Sequence, residues 1–328
     1  MERLKMLITG GTGFIGANLA RYFNEIGHEV SITRRDKSNS WRIDDILDTI
    51  RSVTADLTDS EAVNQLFNLV KPDIVIHTAA FGGYHFEVET RRIFDVNVYS
   101  TINMINAFHK LGTGVLVNTG SSSEYGFKSQ PMNEVDALEP FGDYAVSKAA
   151  ATLYARYKAI ETSDKIFTLR LFSPYGYYEE PHRLIPYVLI SALTGKTAKL
   201  NNPNFVRDFI FISDVCKAYE SVIAKSSTIE SGEIFNVGSG REGTVREVAE
   251  IANEICGGTL KTEWGTNERR IGDNAKRWVA DVSKIKRKIN WEPIVTLREG
   301  LALTYEWLKN NIRKYEVTGN SKIGSYIR

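Results

Sequence analysis

Five short apolar runs recur along the first 172 residues: KMLIT (5–9), EVSIT (29–33), IVIHTAA (74–80), GVLVNTG (114–120) and FTLRLF (167–172). Taken together they run nearly continuously apolar instead of alternating, which predicts strands buried on both faces. Amphipathic stretches lie between them. In the first, Ile15, Leu19, Phe23 and Ile26 recur at helical spacing and form one apolar stripe. Buried strands separated by helices predict an α/β fold with a doubly wound parallel sheet. Beyond residue 172 the alternation loosens, and Pro174, Pro181, Pro186 and Pro203 punctuate a loop-rich stretch. The expected organisation is a first domain over 1–172, rejoined by return segments at about 206–237. A smaller, interleaved C-terminal α/β domain is expected from 173–205 and 238–312, and residues 313–328, with little apolar periodicity, are expected to fray. No internal repeat or low-complexity segment interrupts this pattern.

Composition narrows the partners. The 328 residues are 42% apolar and 25% charged, ordinary values for a globular protein. Forty-one basic side chains balance forty acidic ones, so no global field points to nucleic acid or to an anionic membrane. The two cysteines, Cys216 and Cys256, form no CxxC pair and no His/Cys cluster, so neither a disulfide framework nor a metal site is expected. A reducing compartment fits. No run approaches the roughly 20 apolar residues that span a bilayer, and no export segment is evident, so a cytoplasmic location is expected.

The first candidate chemistry is TGGTGFIG (9–16), between the first predicted strand and the first predicted helix. Its residues Gly10, Gly11, Thr12, Gly13, Phe14, Ile15 and Gly16 are expected to hold a dinucleotide. Glycines permit the tight turn and a close backbone approach, and the helix start offers free N–H groups to a pyrophosphate. A Rossmann-like domain follows from that placement. The end of the second strand selects the dinucleotide. An acidic residue there would bond the ribose 2′-hydroxyl of NAD, whereas this chain has Arg34 and Arg35. Two guanidiniums suit a 2′-phosphate, so NADP is expected in preference to NAD. The alternatives are a solvated basic turn, or Asp36 swinging in as an acceptor.

YAVSK (144–148) opens a long helical pattern and places Tyr144 and Lys148 four apart, on one face. A buried ammonium beside a phenol is expected to favour the phenolate and lower the tyrosine pKa, and an oxidised nicotinamide would add to this. Such a pair alone more often means a packed ring and a surface amine. It gains weight beside NTGSSSEYGF (118–127), where Ser121, Ser122 and Ser123 follow an apolar run. A serine cluster after a strand is also ordinary loop material.

With these motifs together the chain resembles the extended short-chain dehydrogenases/reductases, specifically the nucleotide-sugar epimerase/dehydratase family. The resemblance covers about residues 5 to 310, through TGGTGFIG, ADLTD (55–59), HTAA (77–80), NV (97–98), SSSEYG (121–126), YAVSK, RLFSPYG (170–176), VRDFIFISDV (206–215) and RRIGD (269–273). It implies that Asp56 and Leu57 lie along the adenine, that Ala79 and Ala80 line the cofactor, and that Asn97 supports the active-site helix. Tyr144 would be the acid/base, while Lys148 would hold the ribose and tune Tyr144. Arg207 and Arg270 would clamp the substrate diphosphate, although any single arginine is more often a surface residue. The second domain would bind the nucleotide sugar.

The family's catalytic serine or threonine lies five residues before the glycine of the YG pair, which gives Ser121. Its dehydratases carry acidic side chains at one or both of the next two positions, here Ser122 and Ser123, so the resemblance disfavours dehydration. Glu124 stands where the family usually has an apolar residue, and its register is expected to point it away. Ser173 replaces an asparagine that many epimerases carry, leaving that substrate contact open. Tyr84, His85 and Phe86 fall in the loop expected to roof the sugar. His85 is either a pH-sensitive ligand or an idle loop residue, and His77 is expected to be structural.

Three functions remain. The first is an NADPH-dependent reductase of a 4-keto-(6-deoxy)hexose carried on a nucleotide. The second is a nucleotide-sugar 4-epimerase with tightly held NAD. A non-catalytic dinucleotide sensor comes last, because both Tyr144 and Lys148 are present. The resemblance also implies a homodimer through a four-helix bundle from about 89–111 and 144–161, with Ile93, Met104, Leu153 and Tyr157 either outward or in the core.

Overall fold

The computed structural model describes residues 3–84, 87–265 and 277–318. The apolar runs become the strands β1 (Lys5–Thr9), β2 (Glu29–Arg34), β4 (Ile74–His77), β5 (Val115–Ser121) and β6 (Ile166–Leu171), with β3 (Arg51–Thr54) at one edge. The helices α1 (Phe14–Glu25), α2 (Ser60–Val70), α3 (Thr90–Phe94), α4 (Ser100–Leu111) and α5 (Asp143–Thr162) alternate with them. Strand β11 (Ile234–Val237), from the expected return segment, pairs in parallel with β6 and completes a seven-stranded parallel sheet in the order β11-β6-β5-β4-β1-β2-β3. That is the doubly wound Rossmann order with one strand added, and its reversal between β1 and β4 opens the crevice where such sheets take ligands.

The interior strands are buried on both sides: all four residues of β4 and all six of β6 are inaccessible. The α1 stripe buries Leu19 and Phe23 against the sheet, while Ile15 and Ile26 are partly covered. On the opposite face, α2, α4 and α5 pack Val63, Phe67, Met104, Ile105 and Ala159 over Leu7, Val75 and Leu116.

The smaller part combines β7 (Ser173–Tyr175), β8 (Thr197–Leu200), β9 (Val206–Arg207), β10 (Phe209–Phe211), β12 (Gly243–Thr244) and β13 (Lys261–Trp264) as three two-stranded pairs. Helices α6 (Leu184–Thr194), α7 (Ile212–Lys225), α8 (Val245–Ile255), α9 (Ser283–Ile289) and α10 (Leu297–Thr318) surround these pairs and the β11 edge. Its core is continuous with that of the sheet.

One expectation is corrected and one open choice is resolved. The chain after 312 stays helical through Thr318, because Tyr315 packs edge-on to Trp41 and Trp307 and donates to the Glu179 carbonyl. Residues 319–328 lie outside the described residues. Of the four residues named for a partner face, Ile93 and Met104 are core, whereas Leu153 and Tyr157 are each 53% exposed. No helix among the described residues is long and apolar enough to cross a membrane, and none of their side-chain clusters suits a metal ion.

Candidate active site

The glycine loop turns off β1 with Gly10 in the left-handed region (φ +64°), where the close approach of Ala79 also bars a side chain. A β-carbon on Gly16 would sit 2.3 Å from the Gly10 carbonyl oxygen, so only glycine lets α1 start this close to the turn. Gly13 is the N-cap of α1, with no side-chain cap, and the α1 start faces the crevice between β1 and β4. Thr12, Phe14 and Ile15 complete this turn. Free helix-start N–H groups beside a glycine cradle fit a pyrophosphate.

Arg34 ends β2 next to that loop, since the neighbouring Thr33 carbonyl accepts from Gly11 N–H at 3.2 Å. Its Nε is buried without a hydrogen-bond partner. Arg35 is exposed and its N–H donates to Ser38 Oγ at 3.0 Å, folding the basic stretch into a tight turn. Asp56 caps its own turn through Thr58, Leu57 is half-buried against the α2 cluster, and Ala80 is exposed at the crevice beyond β4.

Across the crevice, α5 presents Tyr144 and Lys148. Lys148 is 4% exposed, and burial pushes its ammonium down to about 8, against a pull upward from Glu124. Burial likewise raises the Tyr144 phenol. A hydrogen bond with the Ser121 hydroxyl and the nearby Arg183 pull it back, while Glu124 and Glu87 push it further up. The expected lowering of the phenol pKa is therefore corrected: desolvation disfavours both charged forms and outweighs the neighbouring cation.

Ser121 is the N-cap of a 3₁₀ turn over Ser122–Tyr125, and its Oγ accepts from Ser123 N–H at 3.2 Å and shares a hydrogen bond with Ser123 Oγ at 2.8 Å. Asn97 sits in a π turn (Asp95–Tyr99) between α3 and α4, which rotates it inward. Its amide donates to Phe81 O at 2.8 Å and to Ser147 Oγ at 2.9 Å, and Ser147 donates to Tyr144 O at 2.8 Å. Asn97 thus ties the loop after β4 to the start of α5. His77 is buried between Thr9 and Thr101 hydroxyls and is held neutral, its pKa pushed down to about 3 by burial.

On the substrate side, Arg207 lies between the rings of Phe205, at 3.8 Å, and Trp278, at 4.7 Å. Trp278 Nε1 donates to Ser122 Oγ at 3.0 Å, so one indole joins Arg207 to the serine run. Ser173 is half-buried on β7, its N–H donating to Asp208 O at 2.9 Å. Arg270, His85 and Phe86 lie outside the described residues.

Several neighbours escaped sequence reasoning. Arg183 donates to Gly83 O at 3.1 Å and stacks on Tyr84, bridging the roof loop to the start of α6 beside Tyr144. Arg42 is buried and donates to Thr12 O at 3.2 Å and Tyr178 O at 2.7 Å, fastening the glycine loop to the segment after β7. Nothing in the local sequence around Arg42 or Trp278 marks them.

A family model described as the NAD dependent epimerase/dehydratase family matches residues 6–238. The chain is 28% identical to a UDP-glucuronate 4-epimerase of Thermodesulfobacterium geofontis, over 93% of this chain and 96% of that one. Among solved structures it is similar to a dTDP-glucose 4,6-dehydratase from Bacillus anthracis in complex with NAD, with TM-score 0.85 and 26% identity over 96% and 99% of the two chains. It is equally similar to a UDP-glucose 4-epimerase from Thermotoga maritima with UDP-glucose, with TM-score 0.85 and 25% identity over 94% and 99%. Overall likeness therefore does not disfavour dehydration, as the sequence reading had expected. The Bacillus anthracis dehydratase holds NAD, which gives no support to the expected preference for NADP.

Proposed function

The chain belongs to the NAD dependent epimerase/dehydratase family, whose relatives are enzymes of nucleotide sugars, and we propose that it reduces a 4-keto hexose carried on a nucleotide. One observation carries this reading. The Ser121 and Tyr144 hydroxyls share a hydrogen bond, and Lys148 is buried one turn further along α5, while the two positions after Ser121 hold serines.

In this site the sugar C4 oxygen sits between Ser121 Oγ and Tyr144 Oη. Tyr144 gives its proton to that oxygen, and Lys148 offsets the phenolate that remains. Ser121 orients the oxygen by accepting or donating as the proton moves. The dinucleotide, when bound on Gly10–Gly16, supplies the hydride. Arg34 at the end of β2 favours a 2′-phosphate and hence NADPH, with Asp56, Leu57, Ala79 and Ala80 along the remaining cofactor wall. Ser122 is already engaged by Trp278, whose indole N–H donates to its hydroxyl. Arg207, held between two rings, faces the diphosphate, Ser173 is on the same side, and the smaller part of the fold holds the sugar nucleotide. Two copies pair through α5 and the π turn leading into α4, where Leu153, Tyr157 and Ile160 on the helix and Tyr99 on the turn are exposed.

The names of the relatives favour a second reading, a 4-epimerase with retained NAD. The test is to release any dinucleotide from the purified protein by denaturation, identify it, and titrate the stripped protein with NADPH and NADH. Free exchange with an NADPH preference supports the reductase. Tight, non-exchanging NAD supports the epimerase and makes Arg34 and Arg35 a solvated turn.

A further inference from the structure

Glu124 does not point idly away. It is completely buried and sits where four parts of the chain converge behind the catalytic hydroxyls. Its Oε1 accepts from Ser121 N–H at 2.8 Å and from Thr152 Oγ1 at 2.9 Å, and its Oε2 accepts from Arg170 Nε at 2.7 Å. Thr152 lies one turn past Lys148 on α5, so a single carboxylate holds the backbone of Ser121 and the helix that carries Tyr144 and Lys148. Arg170, 2% exposed on β6, donates onward to Tyr125 Oη at 2.9 Å, which donates to Asn236 Oδ1 on β11 at 2.7 Å. Gly120 makes room for the carboxylate: a β-carbon there would stand 2.8 Å from Glu124 Oε1.

We propose that Glu124, held by Arg170, is a positioning residue that fixes Ser121 against Tyr144 and Lys148. Buried ion pairs of this kind contribute little to stability compared with apolar residues of the same volume, so stability alone does not account for one directly behind a site. What the pair does supply is a rigid, fully bonded link between the strand end and the helix, the support that a two-element catalytic set requires. The inference rests on the redox reading of Ser121, Tyr144 and Lys148. The groups that act on the Tyr144 hydroxyl are Ser121 from β5, Arg183 at the N-cap of α6, Glu124 from the turn after β5 and Glu87 from the roof loop, while Lys148 lies one turn on along the same helix.

The test uses three variants of the full chain: Thr152→Val, Thr152→Ser, and the apolar double replacement Glu124→Val with Arg170→Met, which leaves no unpaired buried charge. NADPH oxidation by dTDP-4-keto-6-deoxyglucose is followed at 340 nm. Thr152→Val is expected to lower kcat about fivefold with KM within about twofold, and Thr152→Ser to restore it. The double variant is expected to lose about tenfold or more in kcat. The Tyr144 titration in Thr152→Val, which keeps the Glu124 charge, is read by NMR of ring-labelled tyrosine and assigned with Tyr144→Phe; it is expected to move up, because the Ser121 hydrogen bond that holds the phenol down is loosened. Wild-type kcat in both Thr152→Val and the double variant would overturn the proposal, as would a loss in Thr152→Val that Thr152→Ser fails to restore. If the wild-type protein oxidises no NADPH with this probe or with the UDP-, GDP- or CDP-linked 4-keto-6-deoxyhexose, the redox reading fails by itself. The Tyr144 titration of Thr152→Val then decides, an unmoved value overturning the positioning role and an upward shift supporting it.

Discussion

Lys148→Met should make the dinucleotide-stripped protein more stable while abolishing its chemistry. The buried ammonium titrates near 8 in the fold, against its ordinary value of 10.5. At about 1.4 kcal/mol per unit, that depression means burial of the charge costs the folded state about 3 kcal/mol. The cost is fully present below pH 8, where both folded and unfolded chains carry the proton. It shrinks as pH rises from 8 to 10.5, because the folded chain releases the proton first, and it vanishes above that range. Methionine has a similar length and no charge, so the slot stays filled. Thermal melts at pH 7 should place the variant roughly 5 °C above the wild type, and the gap should close towards pH 10. A variant that melts at or below the wild type at pH 7, or a gap indifferent to pH, would show that the ammonium is compensated in the fold and refute the reasoning.

Three further outcomes follow from the same geometry. Tyr144→Phe should keep dinucleotide affinity within about twofold by fluorescence titration yet lose about a hundredfold or more in turnover, because only the proton donor is removed. Near-wild-type rates would take Tyr144 out of the reaction. Arg34→Asp should weaken NADPH by about tenfold or more and NADH far less, since only the former has a phosphate to pair with the guanidinium; equal losses would place Arg34 elsewhere. Gly16→Ala should abolish dinucleotide binding in calorimetry, as its methyl would meet the Gly10 carbonyl at 2.3 Å, and retained affinity would mean that the loop yields.

The sheet was legible because its interior strands are apolar on both faces and leave an unambiguous trace. Edge strand β3, RSVT, was not, since both its ends are exposed and its composition resembles a loop. Ser121, Tyr144, Lys148 and the glycine loop could be singled out as candidates because each motif is short and contiguous. The pair Glu124–Arg170 was hidden by its 46-residue separation: a lone carboxylate and an arginine inside an apolar strand reveal nothing until β5 and β6 lie side by side. Helical periodicity could not distinguish Ile93 and Met104, which are core, from Leu153 and Tyr157, because a partner face and a core face repeat alike. The phenol pKa was misread for a related reason. Spacing shows that an ammonium is near, but only the folded chain shows how far both groups have been withdrawn from water.

The most direct test of the central claim follows the hydride itself. The protein would be given NADPH deuterated at nicotinamide C4 together with 4-keto-6-deoxyhexoses linked to dTDP, UDP, GDP or CDP, and the sugar product examined by NMR. The account predicts deuterium at sugar C4 of one of them, with one NADP formed per sugar reduced. Interconversion of UDP-glucose and its C4 epimer with no dinucleotide consumed and no deuterium incorporated would contradict it.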